Sequence, residues 1–452
     1  MTESTPPAPV TATPTIPPGN RLGSAMSMAM VVGTMIGSGI YLLPTTLAPF
    51  GPNLVIAFLV TVGGTMCLAY AFAQLAGRID GGPFAYVRAA FGEAPAFLTL
   101  WSYLVSQWTG VAAVAVAVAG AIGHVVPAVS SGIGLTIVAL GSIAILTLVN
   151  LAGPRSAGWV QIVSTLIKIV PLIAVVLLVA VRFGTAQPVE QLAPVPVTLA
   201  GVTAAAALML FSLTGFEAAT VTANVTADSS NTVPRATIIG TAFTGIIYLI
   251  ATVATLMLLP SARAAGSSAP FADAISPILG ASAGTLVALI AAISAFGACN
   301  ALLLLSAEVG QSIAGANDLP ALFRRTNAAG APVGSLLVGA GLASLLVIAS
   351  TSDSFVSVYV FIALVSTVAS LVLYAVCAAA ALKLRVTSAR RIIVVLAFVY
   401  AIAMFVGAGL TATLWGLALA AIGVPIRWLS RRFSATSPGQ ADGQAVPPEQ
   451  AA

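Results

Sequence analysis

The residues that could bind a charged ligand lie inside apolar segments. Gly37-Ser38-Gly39 interrupts an apolar run that is long enough to cross a bilayer. Glycine is the poorest helix former after proline, so this run is predicted to hold a helix that stops and restarts. The free N–H groups of the restarted half would attract a carboxylate, and the hydroxyls of Thr34 and Ser38 can bond polar groups of a ligand. The alternative is a small-residue surface for close helix packing.

Two charged side chains also occur inside apolar segments. Glu217 follows Thr214-Gly215 in a second interrupted run, and Lys168 lies near the middle of another. A charge at the bilayer centre costs roughly 2.5–3.5 kcal/mol unless it faces protein or water. Glu217 is interpreted either as a coupling residue or as a staple for N–H groups freed by the interruption. Lys168 is interpreted as a residue that gains and loses a proton, or as one whose ammonium reaches the membrane interface.

Further candidates are an amide and two aromatic side chains near these segments. Gln107 and Trp108 lie together on the third apolar run, and Phe211 lies next to the second interruption. Aromatic rings can close over a substrate or stack on a cation, although most of them only pack. The single histidine and the three cysteines are isolated from one another, which predicts no metal, disulfide or cofactor site. These four residues are His124, Cys67, Cys299 and Cys377.

The composition predicts an all-α integral membrane protein. Of 452 residues, 59% are hydrophobic and 6% charged, and the mean hydropathy is +1.07. Soluble domains carry about 25% charged residues, so a soluble enzyme is excluded. The net charge of +5 does not predict nucleic-acid binding, because Lys and Arg gather in the cytoplasmic loops of membrane proteins.

Twelve apolar runs are predicted to span the lipid bilayer. The interrupted runs are the first and the sixth, which predicts two inverted halves of five spans with a site at their interface. The core is residues 21–382 (about 21–182 and 200–382), two accessory spans occupy 391–430, and 1–20 and 434–452 are predicted disordered tails. The predicted spans are 25–48, 52–76, 96–124, 131–151, 157–182, 200–225, 235–259, 281–314, 331–350, 354–382, 391–409 and 411–430.

The basic residues orient these spans. With a cytoplasmic N-terminus, 14 of the 17 Lys and Arg fall on the cytoplasmic side, whereas only Arg182 and Arg263 fall outside. Such an asymmetry predicts that both termini are cytoplasmic, which requires an even number of spans. The glycine-punctuated segment 80–92 then lies at the inner face, either as a gate of the inner mouth or as an ordinary surface loop.

Several motifs, in order along the chain, resemble the amino acid–polyamine–organocation superfamily. The resemblance covers about residues 20–430 and is strongest to its basic amino-acid/polyamine antiporters of the arginine/agmatine type. The matching segments are 34–44, 81–86 with 91–92, 149–154, 215–217, 233–237, 269–274 and 325–333.

The resemblance implies a fold, a substrate site and an assembly. The fold would be a LeuT-type 5+5 inverted repeat plus two C-terminal helices, and members often form homodimers. The substrate α-carboxylate would bind at Ser38, Gly39 and Ile40, and its α-amino group at carbonyls around Phe211 and Thr214. Phe211 would act as an aromatic gate and Glu217 in proton sensing or coupling.

This chain departs from the arginine/agmatine type at the residues that would contact the side-chain end of the substrate. Apolar Phe211, Leu302 and Val111 replace residues that hold the guanidinium in that type, and Lys168 matches members that carry neutral amino acids. Its ammonium would stand where related transporters bind sodium. The predicted substrate-binding residues are therefore Thr34, Ile36, Ser38, Gly39, Ile40, Gln107, Val111, Phe211, Thr214 and Leu302. The predicted gating and coupling residues are Trp108, Phe211, Lys168 and Glu217.

The sequence thus predicts a secondary transporter of amino acids or related amines in the inner membrane. Exchange is favoured, and proton-coupled transport of neutral amino acids is the alternative. A membrane enzyme would have only Lys168, Glu217 and Glu308 as catalytic groups, without a metal cluster. A substrate sensor would need an output domain, which neither tail resembles.

Overall fold

The computed structural model describes residues 24–79, 82–152, 167–221, 228–350, 354–386 and 390–435. Parts of the predicted architecture lie outside the described residues. They are the tail 1–20, residues 436–452 of the other tail, the start of the fifth span (157–166) and the end of the sixth span (222–225). All regular secondary structure of the described residues is helical. The α-helices are α1 (Ser24–Met35), α2 (Ser38–Leu47), α3 (Asn53–Ala76), α4 (Gly82–Phe91), α5 (Glu93–Val125), α6 (Gly132–Leu151), α7 (Val170–Gly184), α8 (Leu199–Leu213), α9 (Ala218–Val221), α10 (Ser229–Leu258), α11 (Ser261–Gly266), α12 (Pro270–Leu279), α13 (Ala281–Gly315), α14 (Val333–Ala349), α15 (Phe355–Lys383), α16 (Arg391–Gly407), α17 (Leu410–Ala421) and α18 (Gly423–Ala435).

Many of these helices are suited to a lipid environment. Six of them are long and apolar enough to cross a membrane, and so is the stretch Leu410–Arg432 that α17 and α18 form together. Four shorter apolar helices accompany them. Large apolar side chains on the outside of the protein are exposed, as on α16 and α17, where Val406 and Leu410 are 78% and 75% exposed. Such a surface suits lipid rather than water, so the prediction of an all-helical, multi-pass membrane protein is confirmed.

Helix α5 forms the centre of the protein. It packs against α13 on one side and α15 on another, and nearly all of its residues from Ala96 to Ala121 are buried. Glycines allow this close approach: a Cβ at position 110 would lie 3.3 Å from Leu302, and one at position 120 only 2.3 Å from Phe355. Small residues are what membrane helices use to pack closely.

Two predicted interruptions are confirmed by the backbone. The first apolar run forms α1 and α2, which are separated at residues 36–37, here called the first break. The sixth run forms α8 and α9, which are separated at residues 214–217, the second break. In both, the glycines fall where the helix stops, in agreement with their low helix propensity.

The backbone corrects two details of the predicted spans. Lys168 is not in the middle of a continuous helix: it lies in a turn, and α7 begins only at Val170. Pro171 explains this turn, because it has no N–H to donate to the carbonyl four residues earlier. Likewise the twelfth span is divided after Ala421, which is four residues before Pro425.

The inner segment 80–92 contains a packed helix. In α4, Pro83, Tyr86 and Val87 are buried against α5 and α15, while the Arg88 guanidinium lies over the Phe84 ring at 5.6 Å. Asp80 and Gly81 lie outside the described residues. The segment is therefore more ordered than a surface loop, and its predicted gating role stays a prediction.

Candidate functional site

The two breaks touch each other at two points. A Cβ on Gly39 would lie 2.5 Å from the Ser212 hydroxyl and 2.7 Å from the Ser212 Cα, so α2 and α8 cross in direct contact. Gly215 has a φ of +105° and faces the backbone of Thr34. The Thr34 hydroxyl donates to the Gly215 carbonyl at 3.2 Å. The structure thus brings together Thr34, Gly39 and the residues around Thr214, as the sequence predicts.

Side chains from three other elements satisfy the carbonyl groups of the first break. The Lys168 ammonium donates to the Gly33 carbonyl at 2.8 Å and to the Ile36 carbonyl at 2.6 Å. The Tyr248 hydroxyl on α10 donates to Met35, and the Ser294 hydroxyl on α13 donates to Gly37 at 3.4 Å. Unpaired backbone groups are costly at membrane depth, so these four hydrogen bonds from three side chains explain how an interrupted helix is stable there.

Among the described residues, no side chain caps the N-terminal end of α2. The N–H groups of Ser38, Gly39 and Ile40 belong to the first turn, which has no partner within the helix, so they can donate to a ligand. Across from it, α8 ends at Leu213, where the Thr214 hydroxyl bonds the Phe211 carbonyl at 2.7 Å. A positive helix end therefore faces a negative one, and this arrangement suits a carboxylate and an ammonium on one small molecule.

Glu217 is held by three donors. Its carboxylate accepts from the Tyr103 hydroxyl at 3.0 Å, from the Tyr374 hydroxyl at 3.2 Å and from the Gly215 N–H at 3.1 Å. The rings of Phe216 and Tyr374 pack beside it, with centroids 5.0 Å apart. The bond to Gly215 is the one that the staple interpretation predicts. The same network links the second break to α5 and α15.

The three apolar departures from the arginine/agmatine type lie in one cluster. Val111 and Phe211 are buried in it and Leu302 packs against it. Phe211 also meets Tyr359 of α15 edge to face, with centroids 6.1 Å apart. One end of the candidate site is therefore lined by aliphatic and aromatic side chains.

The other predicted residues lie around this centre in different ways. Ile36 and Ile40 are buried in the larger apolar core. Gln107 is buried and donates to the Ser106 hydroxyl at 3.2 Å. Trp108 meets Trp101 edge to face at 5.6 Å and faces Gly339, which places its ring at the contact between α5 and α14.

A cleft borders the N-terminal end of α2. It is narrow, with about 10 Å³ of free volume, which is room for about one water molecule, and it lies between α2, α5, α12 and α13. Ser38 and Tyr41 line it from α2, and Tyr41 meets Phe271 of α12 edge to face with centroids 5.3 Å apart. Most of its remaining lining is alanine and valine.

Sequence reasoning missed five residues that hold the site. They are Tyr103, Tyr248, Ser294, Tyr359 and Tyr374. A tyrosine in an apolar helix is readily interpreted as a packing residue, because nothing nearby in the sequence indicates its hydrogen-bond partner. Their position within the predicted spans could have identified these tyrosines. Membrane tyrosines concentrate at the interfaces, so a tyrosine hydroxyl at the centre of a span needs a hydrogen-bond partner.

Comparisons with known proteins agree with this architecture. A family model described as amino acid permease matches residues 22–426. The "Putative arginine/ornithine antiporter" of Bacillus subtilis (strain 168) is 29% identical over 397 residues, covering 80% of this chain and 84% of that protein.

Two further relatives come from Escherichia coli (strain K12). The cadaverine/lysine antiporter is 29% identical over 348 residues, covering 73% of this chain and 75% of its own length. The putrescine transporter PotE is 26% identical over 343 residues, covering 74% and 78%. Because the family model covers almost all of the helical core, the chain belongs to the amino acid permease family and is a membrane transport protein rather than an enzyme.

Proposed function

We propose that this protein exchanges amino acids and their decarboxylated amines across the inner membrane by alternating access. The observation that carries the proposal is the contact between the two breaks, at Gly39 with Ser212 and at Thr34 with Gly215. It supports a site in which a positive and a negative helix end face each other at membrane depth. The relatives named as antiporters of arginine/ornithine and of lysine/cadaverine support the substrate class.

The chemistry of the two substrates fits the two helix ends. An amino acid presents its carboxylate to the N–H groups of Ser38, Gly39 and Ile40, and its ammonium to the end of α8 near Phe211 and Thr214. A decarboxylated amine has no group for the α2 end, so it binds through its ammonium alone. Because both molecules use the α8 end, only one of them occupies the site at a time, and exchange requires in addition that the empty site does not change sides.

We further propose the topology and assembly that the family resemblance implies. The chain has twelve spans, formed by two inverted halves of five (about 21–182 and 200–382) and two accessory spans in 391–430. The basic residues support cytoplasmic positions for both termini and for their tails. The exposed apolar faces of α16 and α17 support a homodimer or simple contact with lipid.

Lys168 and Glu217 are proposed as the coupling residues. Each binds one break: Lys168 holds two carbonyls of the first, and Glu217 holds an N–H of the second. Gain or loss of a proton by either group changes these hydrogen bonds. It therefore changes the relative stability of the inward-facing and outward-facing arrangements of the broken helices. The alternative of proton-coupled transport of neutral amino acids is not favoured by the relatives, although the apolar cluster with Val111, Phe211 and Leu302 suits an uncharged side chain.

Counterflow in liposomes tests the function. Purified protein is reconstituted into vesicles preloaded in turn with unlabelled agmatine, ornithine, cadaverine, putrescine, leucine or no substrate. Uptake of labelled arginine, lysine and leucine is then followed at acidic and neutral pH. The proposal predicts uptake of arginine or lysine only when the vesicles contain a related amine or amino acid.

Two outcomes would contradict the proposal. Uptake into empty vesicles that a pH gradient alone drives would replace exchange by proton coupling. Uptake confined to leucine would replace cationic substrates by neutral ones. Protein-free vesicles and vesicles that carry the Gly39→Trp variant are the controls, and equal transport by that variant would remove the proposed carboxylate site.

A further inference from the structure

Glu308 is a charged membrane-helix residue that the transport site leaves unused. It lies on α13, seven residues before the end of that helix at Gly315. It is exposed, and none of the ion pairs or hydrogen bonds found among the described residues involves it. By contrast, Asp318 and Glu93 at the same end of the protein are paired with arginines of α18. An unpaired carboxylate in an apolar helix calls for water or a cation.

The face of α13 that carries Glu308 is the face that touches the first break. Ser294, Ala298, Ala301, Leu305 and Glu308 follow each other at spacings of four and three, so they share one side of the helix. On this side, Ser294 bonds the Gly37 carbonyl, and Ala298 would be 2.7 Å from a Cβ on Gly37. Glu308 lies ten residues beyond Ala298, which is about 15 Å along the helix axis.

Exposure increases along this face toward Glu308. Ser294 and Ala298 are buried, Ala301 and Leu305 are partly exposed, and Glu308 is exposed. The opposite side of the same turns stays buried, as at Gly310 and Ile313. In these turns, exposure is therefore confined to one side of α13, and it increases with distance from the break.

We propose that Glu308 attracts the ammonium or guanidinium group of the substrate at the inner mouth, before the substrate reaches the breaks. This inference rests on the proposed function, because it requires cationic substrates. The end of α13 lies near Arg324, which bonds Asn317, and near its neighbour Arg325. Neither arginine is in an ion pair among the described residues, so their charges repel a cation that approaches this face. A carboxylate on the exposed side of α13 counteracts this repulsion and raises the local concentration of a diamine more than that of an amino acid.

Exchange measured separately from each side tests the inference. Right-side-out and everted membrane vesicles are loaded with ornithine, and the half-saturating concentrations of labelled cadaverine and labelled lysine are measured at low ionic strength. Glu308→Gln is expected to raise the value for cadaverine about fourfold and that for lysine about twofold at the inner face. These factors follow from Coulomb attraction in water, where a carboxylate at roughly 8 Å from a positive charge changes the local concentration of that charge about twofold. Cadaverine carries two positive charges, whereas lysine carries a net charge of one. Values at the outer face should not change, and 0.5 M salt should remove most of the difference.

Matched variants separate attraction from structure. Glu93→Gln removes an acid on the same face whose charge is already paired with Arg431, and it should leave the half-saturating concentrations unchanged. Ser312→Glu restores an acid one turn further along the exposed side of α13, so the double variant Glu308→Gln/Ser312→Glu should recover most of the cadaverine affinity. An unchanged inner value for Glu308→Gln, or an equal change for both substrates and both faces, would overturn the inference. Absence of any amine exchange by the unaltered protein would instead overturn the proposed function and the inference with it.

Discussion

Replacing Lys168 by methionine removes the ammonium from the first break while keeping a side chain of similar length. Lys168 is fully buried, and its ammonium is the donor to the carbonyls of Gly33 and Ile36. Methionine cannot donate a hydrogen bond, so both carbonyls lose this partner in a region that water does not reach. The C-terminal end of α1 and the break itself then lose this hydrogen-bond donor.

The magnitude follows from the two hydrogen bonds. A bond to a charged group contributes about 1.5–3 kcal/mol, so the pair contributes about 3 kcal/mol or more. Since 1.4 kcal/mol corresponds to a factor of ten, substrate affinity should fall by up to about 100-fold. A part of the loss will appear as lower thermal stability of the purified protein, because the break is also a packing contact of α2.

Binding by calorimetry and thermal unfolding in detergent measure both effects. Lys383→Met is the matched control, because Lys383 is exposed on α15 and its ammonium lies 4.8 Å above the Phe91 ring. An exposed cation–π contact contributes about 0.5–1 kcal/mol, and this one is remote from the breaks, so the control should bind substrate normally. If Lys168→Met binds substrate within threefold of the unaltered protein, the proposed role of the lysine in shaping the first break is wrong.

Three further substitutions test other contacts. Gly39→Ala should reduce the exchange rate at least tenfold, because the new methyl group would meet the facing serine of α8 at 2.5 Å, whereas Gly63→Ala, with nothing within 4 Å, should be silent in the same uptake assay. Glu217→Gln should lower thermal stability by about 2 kcal/mol, since an amide has one oxygen to accept from three donors, and it should flatten the pH profile of exchange if the residue couples protons. Asp318→Asn should destabilise the protein by about 2 kcal/mol in thermal unfolding, because this buried carboxylate binds two arginines of α18, while removal of the exposed acid in Glu93→Gln should change stability by less than about 1 kcal/mol.

The interruptions were predictable from sequence because their cause is local. Gly37, Gly39 and Gly215 weaken a helix wherever they stand, and the apolar composition on both sides fixes the depth of the interruption in the membrane. The chemical consequence, free N–H groups at the start of α2, also follows from the rules of helix ends. These features could therefore be placed without knowing which helices are neighbours.

The partners of the breaks were not predictable in the same way. Tyr103 and Tyr374 are 114 and 157 residues from Glu217 in sequence, and Tyr248 is 213 residues from Met35. Periodicity shows which side of a helix is apolar, but in a protein that is apolar throughout it does not show which helices meet. The turn at Lys168 was missed because its cause, Pro171, was treated as a residue within a helix.

We propose that the substrate lies between the two breaks, with its carboxylate at the start of α2. An experimental structure with bound lysine or arginine would test this position. We expect carboxylate oxygens within hydrogen-bond distance, about 2.7–3.2 Å, of the N–H groups of Ser38, Gly39 and Ile40, and the α-ammonium at the end of α8. A substrate bound elsewhere, or one bound between the breaks with its carboxylate toward Val111 and Leu302, would contradict it.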